Sequence, residues 1–230
     1  MIPADSSLLR DWLRSECARL DYVWFEGGPR RRPFDLNIIA IRMLPGQPDR
    51  FDDYLTCSYL DHAGQWTTDM WPITTDPGLH WLRNPGKVEG TAILAPGQYR
   101  SSHAVGEHKG QYPALVQSGG SVTVIRDSDR DGDLDYGGYR DTGFFGINIH
   151  ASDSNPFNDQ DPNPAHLVGR WSAGCLVFAF SADYREWWGI VLRSAASWGE
   201  RFSLTLLETH CPPPGLARAL LTQPAASRAD

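Results

Sequence analysis

Two side chains in one stretch of the chain have the types that nucleophilic catalysis uses. Residues 143–180 read GFFGINIHASDSNPFNDQDPNPAHLVGRWSAGCLVFAF. His150 closes the apolar run 144–149, and Cys175 opens the apolar run 176–180. A thiol becomes a strong nucleophile as its thiolate, and an imidazole is the common group to take the proton. The two residues lie 25 positions apart. Neighbouring strands joined by the intervening loop would bring them together. Residue type alone favours a blander account, because a cysteine in an apolar segment is ordinarily a small buried hydrophobe. A lone histidine is ordinarily structural too.

The residues around the pair shift that balance. Gly-Ile-Asn-Ile-His at 146–150 and Ser-Ala-Gly-Cys at 172–175 resemble the L,D-transpeptidase (YkuD-type) catalytic domain. That family carries an Ile-His-Gly-like strand end, a loop, and then Ser-His-Gly-Cys-x-Arg. The likeness in order and pattern spans residues 70–208, and it is specific at His150 and at Ser172, Gly174 and Cys175. Three departures stand out. Ala173 replaces the second histidine, Val177 replaces the arginine or asparagine, and the loop from His150 to Cys175 is longer. The resemblance implies a mainly β domain with flanking helices, an L,D-transpeptidase-like β-sandwich or barrel. It also implies a peptidoglycan stem peptide as substrate, opened through a thioester.

In that chemistry His150 draws the proton from Cys175, and the N–H groups of Gly174 and Cys175 hold the developing oxyanion. Ser172 orients the imidazole or the substrate. With no arginine at 177, Arg170 is the nearest cation in sequence to meet a substrate carboxylate, beside Trp171 and Ala173. Lys109 and Arg100 are more distant candidates. Transfer to an amine and hydrolysis by water remain equally open. The competing account is a calcium-stabilised cell-wall-binding module in which Cys175 is buried and inert.

The calcium enters through DSDRDGDLDYGG, which starts at Asp127. Asp127, Asp129 and Asp131 fall at positions 1, 3 and 5 of a calcium loop. Gly132 falls at the sharp turn, and Asp133 and Asp135 fall at positions 7 and 9. Gly138 stands where an EF-hand has its bidentate glutamate, and the flanks read as strands. A structural ion fits this spacing, and a solvated acidic hairpin is the alternative. His103, Glu107 and His108 also invite a metal reading, but their spacing is not the i, i+4 of a helical zinc site. A loop lining the substrate groove fits 101–112 better.

The 230 residues suit one domain with additions: a helical segment at 1–30, the catalytic domain at 31–210 and a tail at 211–230. A net charge of −7 argues against nucleic acid as partner. No run approaches the apolar length of a membrane span. The start lacks the pattern of a secretory signal, so a cytoplasmic site, or a non-classical or phage-lysis route to the wall, is expected. Four scattered cysteines at 17, 57, 175 and 211 suggest reduced thiols, with neither a zinc site nor a disulfide framework. Oligomeric state leaves no mark.

Period-2 patterning and Gly/Pro punctuation predict strands at 34–43, 53–61, 66–73, 91–99, 113–117, 121–126, 144–149, 176–180 and 201–209. A helix whose face is Leu8, Leu9, Trp12, Leu13 and Leu20 opens at Ser6 or Ser7. A second helix over 181–193 is capped by Ser181 and buries Tyr184, Trp187, Trp188, Val191 and Leu192. One or two helical turns are expected at 216–221.

Overall fold

The computed structural model describes residues 6–158 and 166–214, so the helical turns expected at 216–221 lie outside the described residues. The architecture is mainly β, as the patterning predicts. Strands β1 (Asn37–Met43), β2 (Asp53–Leu60) and β3 (Trp66–Thr74) form an antiparallel meander. They are joined by β5 (Gly97–His108), β6 (Tyr112–Gln117), β9 (Ile149–Ala151), β10 (Leu176–Phe178) and β11 (Arg201–Thr209). The eight close into a barrel in the order β1-β11-β5-β6-β9-β10-β3-β2. Its two parallel contacts are β1 with β11 and β9 with β10. Strands β4 (Thr91–Leu94), β7 (Val122–Asp127) and β8 (Tyr139–Gly143) make a separate antiparallel sheet.

The apolar run of β1 is explained by burial on both faces. Ile38 and Ala40 join the main core with Leu55, Trp71 and Leu206. Ile39 and Ile41 point the other way, onto helix α1 (Ser6–Arg19). That helix buries Leu9, Leu13 and Cys17, an i, i+4, i+8 stripe. Leu8 and Leu20, expected on its apolar face, are exposed, and Cys17 takes the place they were given. The segment therefore packs on the barrel as part of it. Helix α2 (Ser181–Trp198) sets Tyr184, Trp187, Trp188 and Ile190 into the main core. Its cap is Phe180, while the Ser181 hydroxyl donates to Asp153 at 2.7 Å; Leu192 is exposed.

Three other expectations are corrected. The single strand foreseen at 91–99 is two, broken at Ala95-Pro96, where the chain passes from the small sheet to the barrel. The loop foreseen at 101–112 is mostly strand, because β5 runs on to His108 and pairs with β6 from His103 onward. The strand foreseen at 144–149 is irregular until Ile149. There the Gln117 side-chain carbonyl accepts N–H bonds from Phe145, Gly146 and Ile147 at 3.0, 3.0 and 3.1 Å. One side chain thus does the work of a neighbouring strand.

A buried polar network ties the barrel to the site. Arg42, fully buried, meets Asp76 at 3.0 Å and Glu208 at 3.0 Å and donates to Thr75 at 2.9 Å. Thr75 in turn donates to Asp53 through its N–H at 2.7 Å. Tyr136, from the acidic loop, donates to Asp76 at 2.8 Å. Two residues past Asp76, the Gly78 N–H donates to the Ser172 carbonyl at 2.9 Å, which fastens the turn leading to Cys175.

Candidate active site

Register brings the two reactive side chains to one face. In the parallel pair β9–β10, Val177 lies beside His150 and Leu176 beside Ile149. Ile149, Leu176 and Phe178 point into the core. Alternation therefore sends His150, Val177 and Cys175 to the opposite face. The Leu176 N–H donates to the Asn148 carbonyl at 2.9 Å, which places Cys175 next to Asn148. The Cys175 thiol donates to the Gly146 carbonyl at 3.3 Å and accepts from the Asn148 N–H at 3.5 Å.

His150 is fixed by its other nitrogen. Nδ1 donates to the Ala151 carbonyl at 2.8 Å, and the Tyr112 hydroxyl lies 3.4 Å from the same nitrogen while donating to that carbonyl at 3.1 Å. The proton is therefore on Nδ1. Nε2 carries the lone pair; it is buried and has no hydrogen-bond partner. The thiol proton rests on Gly146 and not on His150, so transfer requires the S–H to rotate. Such contacts commonly tighten only when substrate binds.

Both groups are neutral at pH 7. Burial, helped by His108 and Lys109 and opposed by the bond to Ala151, pushes His150 down to about 3. Burial raises the Cys175 thiol above its ordinary value, opposed by the Asn148 N–H and by Lys109. A neutral imidazole with an unpaired nitrogen and a protonated thiol thus share one face, the arrangement from which general-base activation of a thiol would start.

Ser172 builds the turn. Its hydroxyl donates to the Cys175 carbonyl at 2.8 Å and accepts the Gly174 N–H at 3.1 Å. The Gly174 N–H is thereby engaged, which corrects its assignment to the oxyanion. The Cys175 N–H has no hydrogen bond among the described residues and is left as the candidate donor. Gly174 is required for another reason: its φ is +121°, and a Cβ there would collide with the Ala92 carbonyl of the small sheet.

A cavity of about 250 Å³ abuts this turn, lined by Ala173, Trp81, Phe145, Thr91, Lys87 and Arg126 among others. Phe145 precedes the glycine that holds the thiol. Arg170 and Trp171, named from sequence as substrate contacts, do not line the cavity; both are exposed, and the Arg170 carbonyl accepts the Trp81 indole N–H at 3.1 Å. Arg100 stacks over Phe25, 5.1 Å from its ring centre. The cations at the cavity are Lys87, which is exposed, and Arg126, which is paired with Asp141 at 2.8 Å. Lys87, Gln117 and Asn148 are residues that the sequence did not mark, and His108 was read there only as part of a groove-lining loop. Asn148 and Gln117 carried one faint signal, as polar residues within otherwise apolar runs.

His103 is excluded as a ligand partner of His108, since its nitrogens bond Ser102 and the Ile147 carbonyl, each at 2.8 Å. Among the described residues, the acidic group that converges is Asp127, Asp129 and Asp135, with donor oxygens within 4.8 Å of one another. Asp131 and Asp133 stand outside that group. Asp131 instead accepts the Asp133 N–H at 2.8 Å. Gly132 makes the sharp turn at φ +95°. Burial and then the neighbouring carboxylates push Asp127 up to about 6. Comparison of the chain with protein-family models, with curated proteins and with solved structures found no match.

Proposed function

We propose that the protein is a cysteine acyltransferase or peptidase of the L,D-transpeptidase kind, acting on peptidoglycan stem peptides. The observation that carries this is His150: buried, its Nδ1 held by a carbonyl and its Nε2 unpaired, on the same face as Cys175. The thiol gives its proton to Nε2 as sulfur attacks the substrate carbonyl. The Cys175 N–H meets the oxyanion. The leaving amine takes the proton from His150, and a thioester remains. An incoming amine or water then loses its proton to Nε2, the C–S bond breaks, and the sulfur recovers the proton. Mass spectrometry after exposure to purified stem peptides tests this. A mass gain on Cys175 equal to the acyl portion is expected, and neither adduct nor product would end the proposal.

Lys87, in place of Arg170, is the cation positioned for a substrate carboxylate. Lys87→Gln should raise KM about tenfold for a carboxylate-bearing peptide, roughly 1.4 kcal/mol, and leave the amidated peptide nearly unchanged. Equal loss for both peptides would remove Lys87 from that role.

The second reading is the calcium-stabilised wall-binding module with an inert thiol. It draws on the bond of the half-buried Cys175 thiol to Gly146 and on the raised pKa that keeps it protonated. Iodoacetamide labelling separates the two. Cys211 is exposed and serves as the internal standard, while Cys17 and Cys57 are buried. An inert, half-buried Cys175 labels between Cys57 and Cys211 at a rate unmoved by replacing His150, whereas a catalytic one labels at a rate that falls when His150 is replaced.

A calcium ion belongs to either reading as a structural element. Asp127, Asp129 and Asp135 would hold it, and it would relieve the crowding of their charges. Calcium should then raise Tm with the logarithm of its concentration above Kd, and Asp129→Ala should abolish the rise. A Tm that is flat from chelator to millimolar calcium would leave a solvated acidic hairpin.

A further inference from the structure

A second imidazole lies against the first. His108, the last residue of β5, and Tyr112, the first of β6, are directly opposed across a tight hairpin. The His108 ring is stacked on His150, with centroids 3.8 Å apart and planes 23° from parallel. Tyr112 closes the Nδ1 edge of His150. His108 closes a face.

The orientation of His108 is set by a chain of hydrogen bonds that starts away from the site. The side-chain carbonyl of Asn148 accepts the Gln117 N–H at 3.0 Å. Its amide nitrogen must therefore be the group that faces His108 Nδ1, 3.3 Å away. An amide nitrogen only donates, so His108 Nδ1 is the acceptor and the His108 proton sits on Nε2. The backbone N–H of the same asparagine meets the Cys175 sulfur. One residue thus sets both the thiol and the ring that covers its base.

We propose that His108 is a positioning residue for the Cys175–His150 pair. Stacked on His150 and held by Asn148, it fixes the plane of the imidazole and keeps the unpaired nitrogen out of water until substrate arrives. This rests on the assignment of Cys175 and His150 as nucleophile and base. A dry, neutral imidazole cannot lose its lone pair to solvent or to a bulk proton, so it stays competent to take the thiol proton. Burial pushes His108 itself down to about 4; it therefore remains uncharged beside the imidazolium that forms during attack. A cation over a neutral aromatic face is a favourable pair.

The titratable and charged groups that act on His150 are His108 on β5, Lys109 in the turn after it and Tyr112 on β6; Cys175, ahead of β10, shares its face. Asp153, beyond β9, acts on Tyr112. None of them but His108 covers the ring face.

Two variants separate stacking from hydrogen bonding. His108→Phe keeps an aromatic ring and loses the acceptor for Asn148. His108→Gln keeps an acceptor and loses the ring. The readout is NMR titration of histidine labelled at Cε1, which follows His150 whether or not any peptide reacts, together with kcat and KM on stem peptide. In the parent and in His108→Phe, His150 should remain neutral down to about pH 4. In His108→Gln, water reaches the ring, and the midpoint should rise by about one unit or more. kcat should fall about tenfold in His108→Gln with KM little changed, and His108→Phe should recover most of it. The same His150 midpoint in all three proteins, or a rise in His108→Phe as large as in His108→Gln, would overturn the proposal. If His108→Gln does not fold, as judged by iodoacetamide reaching Cys57, the Phe variant decides alone: a rise of one unit overturns it and none supports it. Absence of a thioester in the parent would instead sink the nucleophile assignment while leaving the His150 titration as it stands.

Discussion

Cys175→Ser is expected to fold like the parent and to show no acyl-enzyme, with turnover down by at least about a thousandfold. The hydroxyl can make the same two contacts as the thiol, donating to the Gly146 carbonyl and accepting from the Asn148 N–H. Stability should therefore change little. The chemistry should not survive. An alcohol is a far weaker acid than a thiol, and the base available to it is an imidazole already pushed down to about 3. Cys175→Ala removes the nucleophile outright and should behave alike. Substantial turnover by both variants would mean that the thiol only packs.

His150→Ala should slow acylation by about a hundredfold or more, the usual scale of general-base assistance. The pH dependence is equally telling. Because His150 stays neutral to about pH 3, the parent should show no loss of activity through the ordinary imidazole range near 6.5. Its rate should instead stay flat with pH until the thiol, which burial has raised, begins to ionise. Stability has the opposite origin and a definite sign. The unfolded chain binds a proton at His150 near pH 6.5, while the folded chain binds it only near 3. The parent therefore loses stability as pH falls between those values, and His150→Ala should lose less. An unchanged acylation rate, or equal acid sensitivity, would place the imidazole outside the reaction.

Much of the barrel was legible because its strands obey simple rules. The runs that became β1, β2, β3, β6 and β11, like β7 of the small sheet, alternate or stay apolar between Gly and Pro breaks. The face shared by Cys175 and His150 followed from one loop between two apolar runs. What stayed hidden was held by long-range partners. Phe145 and Ile147 mimic a strand's alternation, yet their N–H groups bond the Gln117 side chain. Strand β5 reads as loop because GQYRSSHAVGEH is polar; it is pairing with both β11 and β6 that makes it a strand. His108 could not be connected with His150 by spacing, since the β5–β6 hairpin brings it there. Arg170 was chosen for nearness in sequence, but the small sheet and the segment before it supply the cations of the cavity.

The closure of the barrel by β11 between β1 and β5 also sets a timetable. Ile38 finds its parallel partner Leu204 only after every other strand of the barrel has been made. Contacts so distant along the chain form slowly, and an unpaired strand is exposed to wrong partners meanwhile. Helix α1 precedes every strand of the barrel, and its Leu9 and Leu13 cover Ile39 and Ile41. One flank of β1 can therefore be sheltered early, while its open edge waits for the last strand. The reactive pair is in the same position. The cysteine and histidine can meet within their own stretch, but the β5 edge that brings His108 is locked into the barrel only when β11 arrives. The stacked imidazoles are thus secured only when the last strand of the barrel is in place.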